Sequence, residues 1–170
     1  MTAILLTAAL LAVTLVSGCT SSSPATNDLK AGLPDSLDYS ITVTGGTNSP
    51  LTLSYADLKA MDFTELNNAT TVNSAGTRTT GDYVGVPMMS IINKAGLPQG
   101  NITYQVTAID GYTKIYSADQ MKVSILGLKE NGTAMTTDIN DKIKSIRMID
   151  PGETNDMWIK MPSKIEIIKA

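Results

Sequence analysis

Apolar residues in the middle of the chain first repeat at helical spacing and then alternate, and this change marks two neighbouring elements. The side chains of the first pattern share one helix face, and they are Met88, Ile91, Ile92 and Ala95. Pro87 precedes them, and proline is tolerated at the first helical position because its missing N–H needs no partner there. The spacing predicts a helix that begins at Pro87 and stops before Gly96.

A strand and a tight hairpin follow this helix. The buried positions of the strand alternate with polar ones, and they are Ile102, Tyr104, Val106 and Ala108. Asp110-Gly111 then turns the chain into a second strand, from Tyr112 to Tyr116. Asp110 is therefore interpreted as a turn residue, with a catalytic acid as the alternative. Tyr112 and Tyr116 are placed on one strand face, where they pack on the core or line a cleft.

The rest of the chain predicts further short elements. Residues 39–44 alternate as a half-buried strand, and Ser54 and Ser117 each begin a short helix as N-caps. Residues 65–84 are polar and predict a surface hairpin or an irregular excursion, and residues 158–168 predict the last strand. The prediction is one α+β domain over residues 39–170, a mixed, mostly antiparallel β-structure with short helices.

Residues 1–18 are set aside as a signal peptide. They hold an apolar run too short to span a bilayer, and Val16-Ser17-Gly18-Cys19 resembles the lipobox of prokaryotic lipoproteins. This resemblance implies a lipidated Cys19, and the polar composition of the residues after it predicts a flexible linker over residues 19–38. We therefore expect an exported protein anchored to the outer face of the cell membrane, with the alternative of an ordinary secretory signal that contains a cysteine.

Composition excludes several classes of function. The net charge is −3 and the cations are scattered, so nucleic acid is not an expected partner. The chain has no histidine and one cysteine, so neither a Ser-His-Asp or Cys-His arrangement nor an ordinary zinc site is available. The loop from Asp150 to Asp156 offers oxygen ligands for Ca²⁺, but a solvated turn is the favoured interpretation. Arg78 beside Asp82 is interpreted as an anion-binding residue or as an exposed ion pair.

The order of elements from about residue 39 to residue 168 resembles the molybdopterin-binding domain of sulfite-oxidase-type oxidoreductases. The matching stretches are Y-S-I-T-V-T-G-G, L-T-L-S-Y-A-D-L-K-A-M, Y-V-G-V-P-M-M-S-I-I-N-K-A-G-L, A-I-D-G-Y and M-W-I-K-M-P-S-K-I-E-I-I. The resemblance implies that fold, and molybdopterin enters as a cofactor by resemblance only. Enzymes of the family hold molybdenum through a cysteine thiolate and use His and Arg for the pterin phosphate.

This chain departs from the family at those positions. Asn73 or Ser74 stands where the resemblance puts the thiolate, and Arg78 is the arginine nearest to them. Neither an amide nor a hydroxyl replaces a soft thiolate well, so no cofactor is expected. The leading hypothesis is a lipid-anchored binding domain without molybdenum chemistry, for a small ligand or a membrane-protein partner. Asn73, Ser74, Arg78, Asp110 and Tyr112 are the candidate binding residues. The alternatives are a molybdopterin-dependent oxidoreductase or its subunit, and a structural or adhesive surface lipoprotein.

Overall fold

Two sheets, three short α-helices and one 3-10 helix make up the part of the chain that the structure describes. The structure is a computed structural model that describes residues 29–141 and 144–169. The strands are β1 Ser40–Thr44, β2 Leu51–Ser54, β3 Thr64–Val72, β4 Arg78–Pro87, β5 Ile102–Ala108, β6 Thr113–Ser117, β7 Ile125–Glu130, β8 Thr133–Ala134, β9 Arg147–Ile149 and β10 Pro162–Lys169. The α-helices are α1 Tyr55–Ala60, α2 Met88–Asn93 and α3 Ala118–Val123, and Asn155–Met157 is a 3-10 helix. The predicted α+β class is confirmed.

The first sheet has the strand order β2-β1-β10-β5-β6. The pair β1 and β10 is parallel, whereas the other neighbours are antiparallel. Ile165 of β10 lies opposite Val43 of β1 and Val106 of β5, so three apolar side chains meet on the inner face. The last strand begins at Pro162, so the prediction that it starts at Trp158 was wrong.

The second sheet has the order β3-β4-β7, and β8 and β9 share the far edge of β7. Its inner face contributes Val84, Val86, Leu126, Leu128 and Met148 to the same core as the first sheet. Its outer face carries a second, smaller cluster, made of Ala69, Tyr83, Ile125, Ile149 and Trp158. Apolar side chains thus cover both faces of this sheet. The outer cluster includes Tyr83 and Trp158, which line the cavity described below.

Both serine-capped helices are present as predicted. Ser54 accepts from the backbone N–H of Asp57, whose carboxylate accepts from the Ser54 N–H at 2.9 Å. Ser117 and Gln120 form the same reciprocal pair at the start of α3. These capping boxes satisfy backbone donors that the first turn of a helix leaves without partners.

The predicted central helix is present but shorter. Pro87 is the last residue of β4 and the N-cap of α2, so the helix begins at Met88 and not at Pro87. The helix ends at Asn93, and Gly96 follows with a φ of 75°. The hairpin beyond it turns at Gly111, whose φ of 87° is a conformation that glycine adopts without strain.

Residues 65–84 form the longest strand pair of the described fold, a hairpin of the nine-residue β3 and the ten-residue β4. This regular hairpin decides between the two interpretations of a polar segment, and the irregular excursion was wrong. Threonines stabilise it across the strands, as in the hydrogen bond between the Thr70 and Thr80 hydroxyls at 2.8 Å. Asn68, with a φ of 56°, lies where the register between the strands shifts.

The chain packs on the domain already before Tyr39. The ammonium group of Lys129 donates to the Leu29 and Ala31 carbonyls at 3.3 and 2.8 Å, and Leu33 is buried in the core. Residues 29–38 therefore lie against the fold. Among the described residues, no helix is long and apolar enough to cross a membrane.

Candidate functional site

A cavity of about 190 Å³ opens on the outer face of the second sheet. Side chains from β3, β4, β7 and β9 line it because alternate residues of a strand point to the same face. Asn155 of the 3-10 helix and Trp158, the residue after that helix, close the side of the cavity that faces away from the sheet. Its lining consists of Thr71, Thr79, Tyr83, Glu130, Arg147, Asn155 and Trp158.

Trp158 fixes the upper side of this cavity. Its ring meets the ring of Tyr83 edge to face, with centroids 5.3 Å apart and an interplanar angle of 89°. Its indole N–H donates to the backbone carbonyl of Asp150 at 2.7 Å. The two aromatic side chains are thus held by packing and by a buried hydrogen bond.

The hairpin β5–β6 holds the 3-10 helix in place. The Tyr112 hydroxyl donates to the Asp156 carbonyl at 3.1 Å, and the Tyr116 hydroxyl donates to the Met157 carbonyl at 2.5 Å. Lys114 adds an ion pair with the Asp156 carboxylate at 2.6 Å. The hairpin at the centre of the sequence pattern therefore positions one rim of the cavity.

The polar centre of the cavity is a tyrosine, a carboxylate and a guanidinium. The Tyr83 hydroxyl donates to Glu130 Oε1 at 2.7 Å. Burial and this hydrogen bond raise the pKa of Tyr83, so the phenol keeps its proton and remains a donor. Arg147 is 7% exposed, and its Nε donates to the Ser145 carbonyl at 3.1 Å.

A second cavity, of about 530 Å³, adjoins the first and shares Asn155 with it. It is lined by Val72, Asn73, Ser74, Thr154, Asn155 and Asp156. Val72 and Thr154 form a β-bridge between its two sides. Asn73 Oδ1 accepts from the N–H groups of Ala75 and Thr77, both at 2.9 Å, and this fixes the turn. We call these two cavities, which share Asn155 in their lining, the outer cleft.

Some of the candidate residues predicted from the sequence line or support the outer cleft, and others lie away from it. Asn73 and Ser74 line it, and Tyr112 supports its rim through Asp156. Asp110 accepts from the Tyr112 N–H at 3.0 Å, as a turn residue does. Arg78 is exposed and alternates with Thr79, so it lies on the opposite face of β4 from the cleft lining. The Asp82 carboxylate accepts from the Asn68 N–H at 2.8 Å and forms no ion pair with Arg78.

The loop from Asp150 to Asp156 is exposed at Gly152 and over residues 154–156, as in a solvated turn, but Asp150 at its start is buried. Asp150 is 1% exposed, and its carboxylate accepts from Ser124 at 3.1 Å and from Gln120 at 3.4 Å. Gln120 also donates to the Glu153 carboxylate at 3.2 Å. Among the described residues, no group of three or more Cys, His, Asp or Glu side chains is placed to hold a metal ion.

Burial raises the pKa of Asp150 to about 6, with a further increase from the charge of Glu153 and opposing decreases from Ser124 and Gln120. Because the pKa of Asp150 is higher in the folded state than in the unfolded state, protonation of this carboxyl stabilises the fold. The contribution to the free energy of unfolding is complete below about pH 4 and is lost as pH rises through about 6. Asp150→Asn removes the titration. We expect the free energy of unfolding of the wild type, relative to Asp150→Asn, to fall by about 2 kcal/mol between pH 4 and pH 7.

Urea denaturation at several pH values measures this difference. Asp35→Asn is the matched control, because the Asp35 side chain is fully exposed. A wild-type stability that runs parallel to Asp150→Asn across this pH range would contradict the prediction.

The lining of the outer cleft does not fit the molybdenum site that the family resemblance implies. Its described side chains offer hydroxyl, carboxylate, amide, guanidinium and indole groups, and none of them carries a sulfur atom. Asn73 and Ser74 lie in the cleft but provide only oxygen and nitrogen atoms, which match molybdenum less well than a thiolate does. We derive no chemistry through that cofactor for this chain.

Sequence reasoning did not identify Glu130, Arg147, Asn155 and Trp158 as residues of one site. One signal was available, since Arg147 stands between apolar residues in I-R-M-I, and a charged residue within such a run is rarely left unpaired in a core. The other residues come together only through the packing of β7, β9 and the 3-10 helix.

The fold is similar to that of a known enzyme, the sulfane dehydrogenase SoxCD from Paracoccus pantotrophus, with a TM-score of 0.67 and 21% sequence identity. The match covers 78% of this chain and 39% of the other, so the chain spans about two fifths of the length of that protein. No protein-family profile and no curated protein sequence matches the chain. The structural similarity supports the sulfite-oxidase-type fold that the resemblance implied.

Proposed function

We propose that the chain is a binding domain that holds a small polar organic ligand in the outer cleft and does no molybdenum chemistry. The observation that carries this proposal is the cleft itself, whose two cavities of about 190 and 530 Å³ are lined mostly by polar and charged side chains and by none with a sulfur atom. Concave sites with a few convergent polar groups are the usual form of small-molecule sites.

The proposal includes export and membrane anchorage through a lipidated Cys19. The support is the tetrapeptide Val16-Ser17-Gly18-Cys19 after an apolar run. The described part of the chain starts at Leu29, ten residues after Cys19. A chain of that length spans at most about 36 Å, so the lipid would keep the domain near the membrane surface. A membrane protein would then be the expected partner if the ligand is passed on.

A second candidate function is that of a molybdopterin-dependent oxidoreductase or its subunit. The observation that favours it is the similarity of the fold to a sulfane dehydrogenase. A fold hosts many functions, however, and this candidate lacks a thiolate in the cleft. A structural or adhesive lipoprotein is the third hypothesis, and an open cleft with buried charges gives it no support.

Metal and pterin analysis separates the first two candidates. The full chain is purified from a host that makes the molybdenum cofactor, and a thiolate-containing sulfite-oxidase-type enzyme from the same host is the positive control. We expect far less than one molybdenum and one pterin per chain, because the cleft offers no soft ligand. Stoichiometric molybdenum in this chain would overturn the proposed function and support the oxidoreductase.

A further inference from the structure

The smaller cavity of the outer cleft favours a compact polar ligand over a stacked ring. Tyr83 is 1% exposed and Trp158 is 4% exposed, since each ring is covered by the other and by the small cluster. Their faces are therefore not available as a stacking platform for an aromatic ligand. The remaining lining is polar, and it includes Thr79, Glu130, Arg147 and Asn155.

One oxygen of the Glu130 carboxylate accepts no hydrogen bond from the described residues. Its Oε1 atom accepts from Tyr83, whereas its Oε2 atom is buried without a hydrogen-bond partner among the described residues. A buried acceptor without a partner is costly, and the cost is greater for a charged group. Glu130 lines the cavity, and the terminal torsion of a glutamate is soft, so its carboxyl group can rotate to accept from a donor bound there. An ammonium group is a charged donor, and its hydrogen bond to a carboxylate is roughly twice as strong as a neutral one.

Arg147 places the opposite charge on the same face of the sheet. Arg147 lies opposite Gly127 on β7, and Tyr83 lies opposite Glu130 on the same strand. The guanidinium and the carboxylate are thus on neighbouring strands, and both line the cavity. A guanidinium has a fork of N–H donors that matches the two oxygens of a carboxylate.

We propose that this cavity binds a small zwitterion of amino-acid size, with its ammonium group on Glu130 and its carboxylate on Arg147. This inference rests on the proposed function and names its ligand class. A ligand with only a positive charge would be repelled by Arg147, and one with only a negative charge by Glu130. A zwitterion offers a donor to Glu130 and a carboxylate to Arg147, so it is repelled by neither. The ligand's side chain then extends past Asn155 into the larger cavity.

Calorimetric titration of the full chain tests the inference directly. The probes are the standard L-amino acids, with methylamine and acetate as the two half-ligands and pterin and guanine as uncharged ring compounds. Trp158 is the single tryptophan of the chain and lines the cavity, so its fluorescence gives a second readout. We expect saturable binding of one or more amino acids and at least about tenfold weaker binding of both half-ligands.

Two variants assign the contacts. Glu130→Gln removes the charge at nearly constant volume, and Arg147→Lys keeps the charge but loses the fork. We expect each to weaken amino-acid binding about tenfold or more. Glu65→Gln is the matched control, because Glu65 is an exposed carboxylate on β3 of the same sheet. Thermal unfolding of each variant shows whether it folds. If a variant fails to fold, the comparison of amino-acid binding with half-ligand binding by the wild type still tests the inference.

The contrary outcomes separate the zwitterion inference from the proposed function. Binding of methylamine or acetate as tight as that of the best amino acid overturns the zwitterion and leaves the proposed function standing. Binding of pterin or guanine without any amino acid does the same. If no amino acid binds up to about 10 mM, the zwitterion is wrong. The metal and pterin analysis then judges the proposed function independently.

Discussion

Ile165→Ala is expected to lower the free energy of unfolding by about 2–5 kcal/mol. Ile165 is 0% exposed and lies at the centre of the first sheet, between Val43 of β1 and Val106 of β5. Alanine removes buried methyl and methylene groups and leaves a cavity that the surrounding strands cannot fill without distortion. This loss is a large fraction of the stability of a domain, which is typically about 5–15 kcal/mol. Chemical denaturation followed by circular dichroism measures it.

Ile115→Ala in β6 is the matched control for this substitution. Ile115 is an isoleucine in the same sheet, but it is 58% exposed and belongs to β6, which among the described strands pairs only with β5. The same chemical change there is expected to cost less than about 1 kcal/mol, which reflects strand propensity and little lost burial. Equal losses at the two positions would contradict the burial of their side chains in this structure, in which Ile165 lies in the core and Ile115 is exposed.

The elements that could be predicted from the sequence are those with a local cause. Ser54 and Ser117 have their partner residue three positions later, and both capping boxes form. The alternation from Ile102 to Ala108, followed by Asp110-Gly111, gives the hairpin β5–β6. In each case the signal and the structure lie within a few residues of each other, so no long-range contact has to be known.

The hairpin β3–β4 shows where local pattern fails. Its outer part has no apolar alternation because threonines fill it, and Asn68 shifts the register in the middle of β3. Pairing with β7 and the outer cluster around Tyr83 stabilise this hairpin, and both are long-range effects. The prediction that Trp158 begins the last strand was wrong for the same reason. Its position is set by Tyr83 and by the Asp150 carbonyl and not by strand alternation.

The outer cleft was predicted only in part. Asn73 and Ser74 were identified because the family resemblance points to them, and the structure places both in the larger cavity. Glu130 and Arg147 reach the smaller cavity through the registers of β4 with β7 and of β7 with β9. Registers between strands far apart in sequence cannot be read from one chain, so the charged centre of the site could be found only from the structure.

Cys19→Ser is expected to move the protein from the membrane fraction to the soluble fraction of a host that processes lipoproteins. Cys19 lies outside the described residues, and this prediction rests on the sequence Val16-Ser17-Gly18-Cys19. Serine has no thiol for the diacylglyceryl group. Two acyl chains contribute about 0.8 kcal/mol for each buried methylene, so their loss removes nearly all of the membrane affinity. Fractionation with immunoblotting measures the shift, and mass spectrometry of the wild type measures the mass of the lipid.

Ser23→Ala is the control, because it changes a serine hydroxyl a few residues further on and leaves the tetrapeptide intact. It is expected to stay with the membrane. A wild-type protein that is already soluble, or that carries no added lipid mass, would refute the anchor and leave an ordinary secretory signal as the explanation of the apolar run. The cleft does not depend on this outcome, since every residue that lines it lies at or beyond Thr71. Ligand binding by Cys19→Ser should therefore equal that of the wild type, and a loss of both properties together would mean that anchorage and binding are not separate functions of this chain.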